Sequence, residues 1–303
     1  MTAAYTTLIS APQLQALLAS DTACMVFDCS FELTQPTVGR QQYLQAHIPG
    51  AVYADLDQHL SARHGAPGKD GQVVTAQTDQ PASGGRHPLP SRERLAQWLC
   101  SIGFSNDMQA IVYDRQGANY CGRLWWMLKW AGHDAVAVLD GGLQAWQAQE
   151  GTITEQGPEP TRFQSHFTLQ APLRELVRMD EIRQGLDTAS LQTVIDARAG
   201  ARYRGEIEPL DAIAGHIPGA LNRPFTDNIA ADGRFKPATL LRAEFEALLA
   251  ERDPRTVVHQ CGSGVSALPN LIAMEVAGLG QTRLFAGSWS EWCSQPDCPV
   301  ERG

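Results

Sequence analysis

A cysteine set in a run of small residues is the first chemistry this sequence offers. Residues 261–266 read Cys-Gly-Ser-Gly-Val-Ser, preceded by Val257-Val-His-Gln and followed by an apolar stretch that runs to Ala277. The first flank has the length and apolarity of a strand end. The second has those of a helix, with Pro269 in its first turn and Gly278 as its stop. Two glycines let the intervening loop curl, so that the N–H groups of Gly262, Ser263, Gly264, Val265 and Ser266 turn inward beside a helix N-terminus. A cysteine at the mouth of such an amide cradle is favoured as the thiolate and is a candidate nucleophile. The competing reading is a buried structural cysteine at a strand end, which is common for this residue type.

One neighbouring chemistry is excluded by the same loop. A phosphatase with a cysteine nucleophile needs an arginine at the end of the loop to grip the phosphate, and here that position is Ala267. Without a guanidinium fork a dianionic phosphate loses its bidentate partner, so a smaller anionic centre such as sulfur suits the loop better.

The elements that must hold this loop occur twice. Ala46-His-Ile-Pro-Gly-Ala51 returns as Gly215-His-Ile-Pro-Gly-Ala220, with His47 and His216 169 residues apart. An apolar strand ending in aspartate precedes each, at Asp28 and Asp196. Ile111-Val-Tyr-Asp matches Val257-Val-His-Gln; Ala131-Gly132 matches Ala277-Gly278; Gly141 matches Gly287; and Trp146 matches Trp292, all at a spacing of 146. Strand-like and helical stretches alternate in both copies, which predicts an α/β fold of two units, each a mostly parallel sheet flanked by helices. The expected units are residues 1–150 and 169–303, joined by a linker over 151–168. Residues 63–86 form a long excursion that the second copy lacks. The position matching Cys261 is Arg115, so the first copy keeps the scaffold without the nucleophile. The second half is then catalytic and the first forms a wall of the cleft.

Composition narrows the setting. The chain has 303 residues, 43% of them hydrophobic, and a net charge of −9, which predicts two globular domains and argues against a nucleic-acid partner. No run approaches the roughly 20 apolar residues of a membrane span. The start carries no basic, apolar leader, and seven cysteines without a CxxC pair predict free thiols in a reducing cytoplasm. Cys293 and Cys298 lack a nearby histidine, so no metal is expected.

Taken together, the doubled HIPGA, the strands ending in aspartate, the CGSGVSA loop and the closing Gly287-Ser-Trp-Ser-Glu-Trp292 resemble the two-domain, rhodanese-type sulfurtransferases. The loop is most similar to that of the 3-mercaptopyruvate sulfurtransferases. Thiosulfate sulfurtransferases tend to carry cations there, and none of the five residues after Cys261 is charged. The resemblance implies ping-pong transfer without a cofactor. Cys261 takes sulfur from 3-mercaptopyruvate or thiosulfate as a persulfide held by the loop amides and passes it to a thiol, a thioredoxin or cyanide. It also implies that Arg202 grips the donor carboxylate and that Ser263, His87 and Asp57 handle a proton. A non-catalytic binding or sulfur-carrying module is the remaining reading. The family's second arginine falls on Leu210 here, with Arg204 and Arg223 as nearby replacements. His47 and His216 stand in both copies and are expected to hold loops. Trp125 and Trp126 are expected in the core, and Tyr120 and Trp289 are candidate cleft walls.

Overall fold

The computed structural model describes residues 4–62, 80–155, 165–186 and 192–303. Most of the excursion expected over 63–86 and the middle of the linker expected over 151–168 therefore lie outside the described residues. The first unit carries β1 (Leu8–Ile9), α1 (Ala11–Leu18), β2 (Cys24–Asp28), α2 (Pro36–Gln45), β3 (Val52–Tyr53), α3 (Arg92–Ser101), β4 (Gln109–Tyr113), α4 (Cys121–Trp130), β5 (Val136–Leu139) and α5 (Gly142–Ala148). The second carries α6 (Met179–Leu186), β6 (Thr193–Asp196), α7 (Gly200–Tyr203), β7 (Leu221–Asn222), α8 (Ala238–Leu249), β8 (Val257–Gln260), α9 (Leu268–Val276), β9 (Arg283–Leu284) and α10 (Ser288–Trp292). Both sheets are parallel, with orders β1-β5-β4-β2-β3 and β7-β6-β8-β9. No helix among the described residues is long and apolar enough to cross a membrane.

The repeat extends to single contacts. Leu8 pairs with Val138 in the first sheet, and its counterpart Leu176 forms a lone parallel bridge to Leu284 in the second. His47 bridges Thr154, and His216 bridges Glu301. Each imidazole stacks on a tyrosine and places Nδ1 2.7 Å from the Tyr43 carbonyl or 2.8 Å from the Tyr203 carbonyl. Both histidines hold a loop, as their presence in both copies implies.

Apolar periodicity explains the layers. β4 is buried along its whole length, as a central strand covered on both faces must be. One core runs between the sheets and joins the halves through α4 and α9, with Leu124, Met127 and Leu128 sharing it with Leu268, Leu271 and Ile272. The two helices meet at Gly122, where a Cβ would lie 2.8 Å from that of Leu268, so only glycine permits the approach. Separate clusters line the outer faces, around Leu14 and Trp146 in one half and Ile182 and Trp292 in the other. Trp125 and Trp126 are fully buried in the shared core. All seven cysteines are free, Cys293 and Cys298 included.

Register sets the location of the chemistry. Asp196 on β6 lies opposite Gln260 on β8, so both strands end together and their following loops open on one edge. The carboxyl edge of a parallel sheet is where such folds place their sites.

Candidate active site

Cys261 is the first residue past β8, and α10 clamps the loop it begins. The Cys261 N–H donates to Ser288 Oγ at 3.1 Å, the Cys261 carbonyl accepts from Trp289 N at 3.0 Å, and the Gly262 carbonyl accepts from Ser290 N at 2.9 Å. The closing GSWSEW stretch thus serves as the outer brace of the loop. At Gly264 φ is +72°, and a Cβ would collide with the Ala286 carbonyl, so glycine is required there. The N–H groups from Gly262 to Ala267 find no acceptor among the described residues. Buried amides are ordinarily paired, so six consecutive free donors beside a thiol make a ready anion cradle.

The first half shows what such a loop does when it supplies its own anion. There the Asp114 carboxylate accepts from the N–H groups of Gln116, Ala118, Tyr120 and Cys121, at 2.8–3.1 Å. The matching residue in the second half is Gln260, which is neutral and whose side-chain oxygen and nitrogen have no partner. A carboxylate fills one cradle, and the other is left for a sulfur anion. Arg115, at the cysteine's position, sends its guanidinium to Asp28, Ser30 and the Ala46 carbonyl. In the second half Arg198 performs that task from another position, donating to Asp196 and the Gly215 carbonyl, both at 2.7 Å. Moving the guanidinium from position 115 to its own strand end is what frees position 261 for a thiol.

Three of the sequence-predicted side chains converge on this loop from both halves. His87 Nδ1 lies 2.7 Å from Ser263 Oγ, and its Nε2 lies 3.6 Å from Asp57 Oδ1. Asp55, the competing carboxylate, instead caps the N–H groups of Asp57 and Gln58. Burial, with Arg123 and Arg86 close by, pushes His87 down to about 3, so its imidazole is neutral at ordinary pH. Asp57 is half-exposed and is shifted upward by burial and by Asp55. Arg202 lies against the loop, where a Cβ on Gly262 would be 3.4 Å from its Nη1.

Other expectations are corrected. Cys261 sits deeper than the mouth of the cradle, at 2% exposure, with α10 bonded to its backbone. Trp289 does not line a cleft; it is buried beneath Arg198, whose guanidinium lies 4.7 Å from its ring centre. Tyr120 packs edge-on to Phe31 in the core. Neither suggested replacement for the family's second arginine reaches the loop, since Arg204 pairs with Glu206 on the surface and Arg223 pairs with Asn228 and Glu244.

Three arginines went unremarked in the sequence: Arg198, Arg86 and Arg123. Arg123 is fully buried on α4 and donates to the carbonyls of Gly264, His87 and Leu60, at 2.8, 2.7 and 3.3 Å. A charge at the head of the apolar run Leu124-Trp-Trp-Met-Leu128 was its available signal.

The model of the family described as Rhodanese-like domain matches residues 10–149 and again residues 178–295. The chain belongs to the rhodanese-like family. It is 42% identical over 299 residues to a Pseudomonas aeruginosa protein described as a probable 3-mercaptopyruvate sulfurtransferase, covering 98% of each chain. It is 31% identical over 287 residues to the thiosulfate sulfurtransferase of Bos taurus, covering 92% of this chain and 88% of the other. Among solved structures, the 3-mercaptopyruvate sulfurtransferase of Leishmania major superposes with a TM-score of 0.79 at 27% identity, over 97% of this chain and 76% of that one. The two rhodanese-like units of this chain superpose on a solved sulfurtransferase, and in this chain the open cradle lies in the second unit.

Proposed function

We propose that the protein moves sulfane sulfur from 3-mercaptopyruvate to a thiol, thioredoxin or cyanide acceptor through a persulfide on Cys261. The observation that carries the choice of donor is the hydrogen-bonded pair of Ser263 and His87, 2.7 Å apart and backed by Asp57. The Cys261 thiolate attacks the donor's sulfur; an S–S bond forms, the C–S bond breaks, and the electron pair leaves on carbon as pyruvate enolate. The enolate needs a proton. Ser263 can give its hydroxyl proton, take another from His87 Nδ1–H, and let Nε2, beside Asp57, recover one from solvent. No imidazolium forms on this route, which fits a histidine held neutral. The loop amides from Gly262 to Ser266 hold the terminal sulfur of the persulfide. A thiolate or cyanide then attacks that sulfur, and Cys261 leaves as thiolate. We place the protein in the cytoplasm, since its seven free cysteines suit a reducing compartment.

Mass spectrometry after mixing with 3-mercaptopyruvate is expected to find one added sulfur on the peptide bearing Cys261. Cys261→Ser abolishes turnover. His87→Ala slows transfer from 3-mercaptopyruvate more than from thiosulfate, because sulfite departs without a proton. Equal losses with both donors would remove the relay, and a larger kcat/KM for thiosulfate in the parent would replace the donor.

A further inference from the structure

We propose that Ser288, at the head of α10, is a positioning residue for the nucleophile: its hydroxyl fixes the peptide on the amino side of Cys261 and so aims the thiol into the amide cradle. The proposal rests on the reading of Cys261 as the reacting group and on no particular sulfur donor.

The backbone marks Ser288 first. Its φ is +56°, in the left-handed region that favours glycine. Among the described residues Ala118, Glu150 and Ala250 are the other non-glycines there, and of the four only Ser288 is both polar and fully buried. Backbone strain of this kind persists where surrounding contacts impose it, and it collects at working sites.

The first half makes the same turn with the residue that suits it. The position matching Ser288, at the repeat spacing of 146, is Gly142, at φ +59°. A Cβ on Gly142 would lie 2.2 Å from the Asp114 carbonyl oxygen. In the second half the closing helix bonds one residue further along the loop. Leu143 N donates to the Asp114 carbonyl at 3.2 Å, whereas Trp289 N passes the matching Gln260 and donates to the Cys261 carbonyl at 3.0 Å. With that shift, position 288 carries a side chain where the first half has none.

The hydroxyl has one task on each side. It donates to the Phe285 carbonyl at 3.0 Å and accepts from the Cys261 N–H at 3.1 Å. In the first half the N–H at the cysteine's position, that of Arg115, is taken by the next side chain, Gln116 Oε1, at 3.2 Å. The residue after Cys261 is Gly262, which has no side chain to do this, so the acceptor comes from α10 instead. Cys261 thus has its N–H on Ser288 and its carbonyl on Trp289, two anchors on one short helix. A thiol at 2% exposure has a narrow approach, and its direction follows from the backbone that those anchors hold. A small misplacement of a nucleophile lowers its rate sharply.

Ser288→Gly and Ser288→Ala in the full-length protein separate positioning from folding. Both lose the hydroxyl, but glycine relieves the left-handed strain and alanine keeps it. The glycine variant is therefore expected to unfold at a higher temperature than the alanine variant. Iodoacetamide alkylation of Cys261 is expected to slow by about tenfold in both, and kcat for sulfur transfer to fall by a similar factor with KM changed by less than about twofold. A role confined to folding makes activity follow stability across the two variants. Alkylation at the parent rate in either variant overturns the proposal, and the alanine variant, which removes a single oxygen, carries that test if the glycine variant does not fold. A parent that takes sulfur from neither 3-mercaptopyruvate nor thiosulfate, yet shows the slower alkylation in both variants, keeps the positioning role and loses the sulfur-transfer reading.

Discussion

The difference between an inert and a reactive copy of this loop comes down to two residues. Asp114 in the first domain takes four loop amides with its carboxylate, and Gln260 in the second leaves the matching amides free. Arg115 neutralises the fully buried Asp28, a charge that a cysteine there would leave uncompensated. The prediction for Gln260→Asp follows from the first domain's own geometry. The new carboxylate folds into the cradle, displaces the sulfur anion from its donors and repels the thiolate. Sulfur transfer should fall by about a hundredfold or more, the range seen when oxyanion donors are lost. Thermal unfolding should stay near the parent value, because the added anion finds partners. Parent-like kcat in this variant would show that the amides do not hold the reacting sulfur.

Along the elements, β8 and the turn before α3 each bury a neutral histidine. His259 on β8 is fully buried with both ring nitrogens unpartnered, and burial pushes it, like His87, down to about 3 from the usual 6.5. Between those pH values the unfolded chain binds these two protons and the native chain does not. Stability therefore stands at its full value above about 6.5 and is lost as pH falls from there, by on the order of 1 kcal/mol per pH unit for each histidine. Urea unfolding of His259→Leu at several pH values should give a shallower acid-side slope than the parent. An identical slope would mean that His259 is protonated in the fold. Element order was legible in the chain because the repeat sets anchors at fixed spacing, and the strand ends at Asp28, Asp196 and Gln260 fall where those anchors put them. The counterpart of β1 was not, since Leu176 keeps only one bridge and leaves no strand pattern to see.

At the scale of the whole molecule, the half without a nucleophile supplies much of the site. Cys261, Ser263 and the amides were legible because they are consecutive, and His87, Asp57 and Arg202 through the family resemblance. Arg86 and Arg123 act across the domain interface, which no local spacing encodes. Arg123 has no carboxylate partner among the described residues and donates only to carbonyls, one of them Gly264 in the catalytic loop. Burial pulls it down to about 10, and the Cys261 sulfur opposes that shift. A buried cation bonded to the Gly264 carbonyl braces the catalytic loop and sets a positive charge behind it, and the domain interface must stay closed for that contact to exist. Arg123→Met fills similar volume without the charge. Iodoacetamide alkylation of Cys261 at neutral pH should slow by about tenfold, and sulfur transfer with it, since the loop loses the bond that braces Gly264 and the cation behind it. Arg123→Lys restores a cation at the same depth and should recover part of the rate, which a loss of packing alone would not do. Alkylation at the parent rate in Arg123→Met would show that the loop amides hold the thiolate unaided and that the first domain serves only as a wall.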